Sequence, residues 1–137
     1  MNVELESVLS GLPGLDAGAT SIYLFGSQAL GRAHRESDVD IAVLFDWQAY
    51  DRQGRFEAGL RLAGEVSRAI GRNDVDLVVL NDAPPTLARA IITHGRRVFC
   101  RDAEADHVFV RTTLLRAADL DPFLRRARKV KLAAIRQ

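Results

Sequence analysis

The apolar positions of this chain fall into short runs separated by turn-forming residues, and their period changes along the chain. Val3, Leu5, Val8 and Leu9 suit a short first helix over residues 2–10, closed by the breakers Gly11, Pro13 and Gly14. Residues 20–25 read as a first strand and 38–45 as a second, the latter carrying the unbroken run Ile41-Ala42-Val43-Leu44. Over 51–70 the period becomes helical: Phe56, Leu60, Ala63, Val66 and Ile70 recur at helical spacing, and Gly71 is placed to end the helix. A third strand is expected over 75–80. Asn81 to Pro85 then form a turn and helix start, with the helix running to about His94 and Gly95 stopping it. A short fourth strand follows over 97–100. Residues 103–120 look helical, Pro122 interrupts, and 123–136 read as a final basic helix. Strands alternating with helices predict an α/β (α+β) protein with a small mixed β-sheet flanked by helices. Residues 1–137 form a single domain in this reading, with a basic helical segment from about 103–137.

Composition changes little in that picture. The chain has 137 residues, 47% of them hydrophobic and 27% charged, which suits one domain with a real core. A net charge of +1 gives the whole molecule no case for nucleic-acid binding. The charge is unevenly spread: from Arg111 onward there are eight Lys or Arg against two Asp, so the basic excess sits at the C-terminal end. Cys100 is the single cysteine and has no internal disulfide partner. No apolar run approaches the ~18 residues of a membrane span, and the acidic start is not a signal peptide. The expected location is cytoplasmic.

The chemistry concentrates in residues 26–44. Gly26-Ser27 follows the first strand, ten residues intervene, and Asp38-Val39-Asp40 opens the second. Side chains on a strand alternate with period 2, so Asp38 and Asp40 are expected on one face. Two adjacent carboxylates repel unless one keeps its proton or a divalent cation joins them. Gly26 lets a ligand approach the backbone, and Ser27 offers a hydroxyl at the start of a short helical turn, where unpaired N–H groups attract phosphate. Magnesium commonly divides its octahedral oxygen shell between one or two carboxylates and substrate phosphates. With this composition, the four fixed positions would coincide by chance about 3 times in a thousand.

That pattern resembles the signature of the nucleotidyltransferase superfamily related to DNA polymerase beta. At this size the chain is most similar to the minimal nucleotidyltransferases that serve as antitoxins to HEPN-domain toxins. The resemblance spans residues 20–101 well and the remainder loosely. It implies a nucleotidyltransferase fold and two Mg²⁺ ions held by Asp38 and Asp40, with a third carboxylate from a neighbouring strand. Asp76, just before Leu77-Val78-Val79-Leu80, matches that place, and Asp74 is the substitute. It further implies ATP as donor, phosphates bound at Gly26 and Ser27, and a HEPN ribonuclease toxin as partner, neutralised by transfer of AMP to a tyrosine. Two other readings stand beside this one: a non-catalytic binding antitoxin, and a nucleotidyltransferase acting on a small molecule such as an aminoglycoside. The chain departs from the pattern at Leu30, where relatives often carry Arg; Arg32 is the candidate replacement for the triphosphate's cation.

Other constellations carry less. Gly26-x4-Gly31 lacks the Lys and Ser/Thr of a phosphate-binding P-loop. Arg89-x4-His94 and Arg101-x5-His107 fit the loose Arg–His spacing of HEPN ribonucleases, but at a frequency expected by chance and off the all-helical scaffold it needs. Trp47 and Tyr50 suit packing better than a nucleobase clamp. The C-terminal segment places Phe109, Leu114, Leu115, Phe123 and Leu124 among arginines, a surface suited to docking a partner.

Overall fold

The computed structural model describes residues 7–9, 11–12, 18–26 and 39–136, with side chains in the last helix described through 122 and at 125–127. Four strands form one sheet: β1 (Ala19–Phe25), β2 (Val39–Phe45), β3 (Val75–Val79) and β4 (Arg96–Cys100). Their order across the sheet is β3-β2-β1-β4. β1 runs antiparallel to both β2 and β4, whereas β2 and β3 are parallel. The parallel pair requires a crossover, which is supplied by helix α1 (Arg52–Ile70). A single 3₁₀ turn (Leu80–Asp82) follows β3 and leads to α2 (Pro85–His94); α3 (Ala103–Arg136) closes the chain. The expected mixed sheet flanked by helices is present, and Ser7 to Leu9 carry helix within the expected first helical stretch.

Local chemistry sets the element ends. The carboxylate of Asp51 accepts the Gly54 N–H at 2.7 Å and caps α1, and at its other end the Gly71 N–H bonds to the Ser67 carbonyl. Asp102 caps α3 through the Ala105 N–H at 3.0 Å. Asn81 extends the sheet beyond β3 with a side chain: its amide accepts from Phe45 N at 2.8 Å and donates to Phe45 O at 2.9 Å.

β2 is buried from Ile41 to Phe45 and divides the core in two. Its odd positions Val39, Ile41, Val43 and Phe45 join Ile22 and Leu24 under α1, packed against Ala58, Leu62 and Val66. Its even positions Ala42 and Leu44 join Tyr23 under α2 and α3, against Ala88, Ile91 and Phe109. That split assigns every residue of β2 a face by parity.

Two details depart from the sequence reading. The buried stripe of α1 is Arg55, Ala58, Gly59, Leu62 and Val66, while Phe56 and Leu60 are 58% and 61% exposed. Small residues face inward because α1 lies close against β3; a methyl at Gly59 would sit 3.1 Å from Val79 Cγ2 and 3.3 Å from Leu77 Cδ2. The second departure is at Pro122. There α3 runs on through the proline, 34 residues in all, although Pro122 has no N–H for the carbonyl one turn back.

Candidate active site

Asp40 is the second residue of β2, and its even position puts it on the face covered by α2 and α3. Across one side its register partner is Phe25, the last residue of β1; across the other it is Asp76, the second residue of β3. Residues in register on adjacent strands share a face and stand about 4.8 Å apart. The two acids therefore form a side-by-side pair where β2 and β3 begin. Asp40 is half-buried and Asp76 is exposed.

Gly26 follows β1 at once, with φ of 69°, a left-handed conformation that glycine adopts without strain. A Cβ built on Gly26 would fall on Asp40 Oδ2 and lie 3.3 Å from Asp40 Cγ. The carboxylate thus rests directly on the bare Cα of the turn. Any other residue would displace one of the two.

The second Asp-x-Asp divides in its use. The Arg72 guanidinium grips Asp74 through both oxygens, Nε to Oδ1 at 2.9 Å and Nη2 to Oδ2, and holds its carboxyl below the usual carboxylate range. The Asp74 carbonyl also accepts the Val39 N–H at 3.0 Å, which fastens the start of β3 to β2. Asp76 points to the face shared with Asp40 and meets no cation among the described residues. Of the two candidates for a third carboxylate, Asp76 has the alignment and Asp74 has a structural partner. Ser27, Arg32 and Asp38 lie outside the described residues. Among the described residues no three His, Cys, Asp or Glu side chains come together, so Asp40 and Asp76 are the described part of the expected set.

Elsewhere acids are fully committed. Asp106, 3% exposed on the first turn of α3, accepts the Ser21 hydroxyl at 2.6 Å and the Tyr23 hydroxyl at 2.7 Å, while its other oxygen accepts Arg97 Nη1 at 2.9 Å. Burial, and then the bond to Asp106, push the Tyr23 phenol far above its ordinary pKa. Asp82 takes a two-pronged contact from Arg55 at 3.0 and 2.8 Å and is held below the usual carboxylate range by it. No local spacing in the sequence signals either pairing, since the partners stand 83 and 85 residues apart in one and 27 in the other.

The lesser constellations separate from the site. Arg89 is tied to Asp121 at 2.8 and 3.1 Å, which joins α2 to α3. Trp47 lies past the far end of β2, roughly 20 Å along the strand from Asp40. It stacks over Arg55, 5.1 Å from ring centroid to guanidinium, and Tyr50 sits edge-on to Phe45 at 5.5 Å. A cavity of about 430 Å³ between Trp47, Pro85, Phe109 and Thr112 also opens at that far end. Within the expected docking surface, Phe109 turns into the core under α2 and α3, whereas Leu114 and Leu115 are exposed. The side chains of Phe123 and Leu124 lie outside the described residues.

The chain is similar in sequence and fold to known proteins. The family model described as "Polymerase beta, Nucleotidyltransferase" covers residues 17–104. The protein adenylyltransferase MntA of Shewanella oneidensis is 36% identical over 91 residues, 66% of this chain and 61% of that protein, so the chain matches less than two thirds of that relative's length. A solved toxin-antitoxin with AMP-PNP superposes with a TM-score of 0.65 at 28% identity, over 99% of this chain and 98% of that one. A tri-AMPylated Shewanella oneidensis HEPN toxin in complex with MNT antitoxin does so with a TM-score of 0.63 at 26% identity, over 100% of each chain. With the sheet, the turn and the paired acids in place, the chain belongs to the polymerase beta nucleotidyltransferase family.

Proposed function

We propose that this chain is a magnesium-dependent nucleotidyltransferase that moves AMP from ATP to a hydroxyl of a partner protein, a tyrosine of a HEPN ribonuclease toxin, and thereby acts as its antitoxin. The observation that carries the reading is the register of Asp40 with Asp76 on one face, beside a glycine turn that admits no side chain. The adenylyl group and the toxin come from the relatives: a protein adenylyltransferase, a toxin-antitoxin holding AMP-PNP, and an AMPylated HEPN toxin with its MNT antitoxin.

The donor set fits magnesium, because paired carboxylates are hard oxygen ligands and no cation meets Asp76 among the described residues. Asp38, Asp40 and Asp76 would hold it. Bound there, magnesium supplies positive charge for the triphosphate and for the departing pyrophosphate. The chain's own residues do the rest. Ser27 and the N–H groups of the Gly26 turn bind the β- and γ-phosphates, with Arg32 as their cation. The acceptor hydroxyl oxygen attacks the α-phosphorus, the bond to pyrophosphate breaks, and Asp76 accepts the hydroxyl proton. Positioning and charge neutralisation are the main needs of such a transfer. The chain acts as a single nucleotidyltransferase domain, with the basic end of α3 and its exposed Leu114 and Leu115 as the docking face for the toxin.

The test is incubation with Mg²⁺, labelled ATP and the candidate HEPN partner, followed by mass spectrometry of the partner. Adenylylated tyrosine is expected. A partner neutralised equally well by an Asp40→Ala variant that transfers nothing would instead support a binding antitoxin, and labelling of an aminoglycoside without any protein partner would support a small-molecule enzyme.

A further inference from the structure

The end of β1 has a neighbour on each side. On the β2 side Asp40 stands opposite Phe25, and its carboxylate covers Gly26. On the β4 side the pairing ends with Leu24 opposite Arg96, which brings Gly95 level with Phe25. Gly95 is also where α2 stops: its N–H bonds to the Ile91 carbonyl at 2.7 Å. Its φ of −84° is one that any residue adopts, so conformation does not demand glycine there. Space does. A Cβ on Gly95 would collide with the Ile91 carbonyl oxygen, stand 2.7 Å from the Leu24 carbonyl oxygen and lie 3.3 Å from Phe25 Cβ. Two of these three contacts are backbone, and the third is a Cβ, so no flexible side-chain end can yield.

We propose that Gly95 is a positioning residue for the nucleotide turn. The missing side chain lets the junction of α2 and β4 seat against Leu24–Phe25 and fixes the height at which Gly26 meets Asp40. A methyl group at Gly95 pushes the end of β1 towards β2, where the Asp40 carboxylate occupies the space a Cβ on Gly26 would fill. The turn and the acid then lose their register. Misplacement of reacting groups by about 1 Å can cost 100-fold in rate. Gly95 touches neither nucleotide nor acceptor; it acts through Phe25 and Gly26.

The inference rests on the nucleotidyl-transfer reading for its kinetic readout, and on nuclear magnetic resonance for an independent one. Gly95→Ala is compared with Gly59→Ala, which places a methyl at the looser contact between α1 and β3, 3.1 and 3.3 Å from side-chain carbons and away from the turn. Gly95→Ala is expected to lower kcat for AMP transfer about 10-fold or more, to leave partner affinity unchanged, and to shift the amide resonances of Phe25, Gly26 and Asp40. Gly59→Ala should lower the melting temperature with neither effect. In the wild-type protein, an Overhauser contact between a Gly95 α-proton and the Phe25 β-protons is expected; its absence overturns the proposal whether or not the variant folds. Unchanged resonances and kcat in Gly95→Ala, with only a lower melting temperature, overturn it too. If the wild-type protein transfers no nucleotide, the functional reading fails, and the resonances still judge Gly95 alone.

Discussion

Where β2 and β3 begin, Asp40 and Asp76 stand in register on one face, and no cation meets Asp76 among the described residues. Where those strands finish, Asp82 is held through both oxygens by Arg55, which also donates to the Tyr50 carbonyl at 3.0 Å and stacks on Trp47. The same side chain serves opposite ends at the two ends of one sheet. At the far end the Asp82 charge is neutralised by Arg55, and the result is a fixed corner. At the near end two carboxylates stand side by side in register, an arrangement that suits a shared divalent cation. The contrast recurs over two residues of β3's start, since Asp74 is gripped by Arg72 and Asp76 is not.

Substitutions can break this contrast in graded steps. The largest effect is expected at the near end: Asp40→Asn should reduce AMP transfer by about 100-fold or more, measured by radiolabel transfer. Next comes the buried acid of α3. Asp106→Ala strands two hydroxyls and a guanidinium, and should cost about 3 kcal/mol of unfolding free energy by denaturant titration. Asp82→Asn should cost less, about 1–2 kcal/mol after solvent screening, because its side chain is 23% exposed. Its pH signature has a fixed sign. The Asp82 carboxyl is depressed in the folded state, so its contribution is present above the unfolded carboxylate pKa of about 3.9 and is lost as pH falls through the folded value. Stability measured below about pH 4 should therefore fall less steeply in Asp82→Asn than in wild type. Asp74→Asn should be the mildest for function, with AMP transfer within about twofold of wild type, which separates it from Asp76→Asn.

The near end was the more legible in the sequence. Period-2 alternation pairs Asp40 with Asp38, the family resemblance points to Asp76 before another apolar strand, and Gly26 stands where a turn has to follow β1. The far end was not legible, because Arg55–Asp82 and Asp106 with Ser21 and Tyr23 join residues that only the fold brings together. The buried face of α1 differs from the stripe of apolar residues for a related reason. Counting large apolar residues selects Phe56 and Leu60, but the distance to β3 selects Ala58 and Gly59. Gly95 read only as a helix stop; its second role depends on which strand lies beside it. Pro122 reads as an interruption locally, yet α3 continues past it.

The central claim is that Asp40 and Asp76 share one divalent cation beside the Gly26 turn, and Mn²⁺ titration of the isotope-labelled protein tests it most directly. Paramagnetic broadening should begin at the amides of Gly26, Asp40 and Asp76, be relieved by excess Mg²⁺, and vanish in Asp40→Asn. Broadening that spares those three amides while appearing elsewhere, or that persists unchanged in Asp40→Asn, would contradict it.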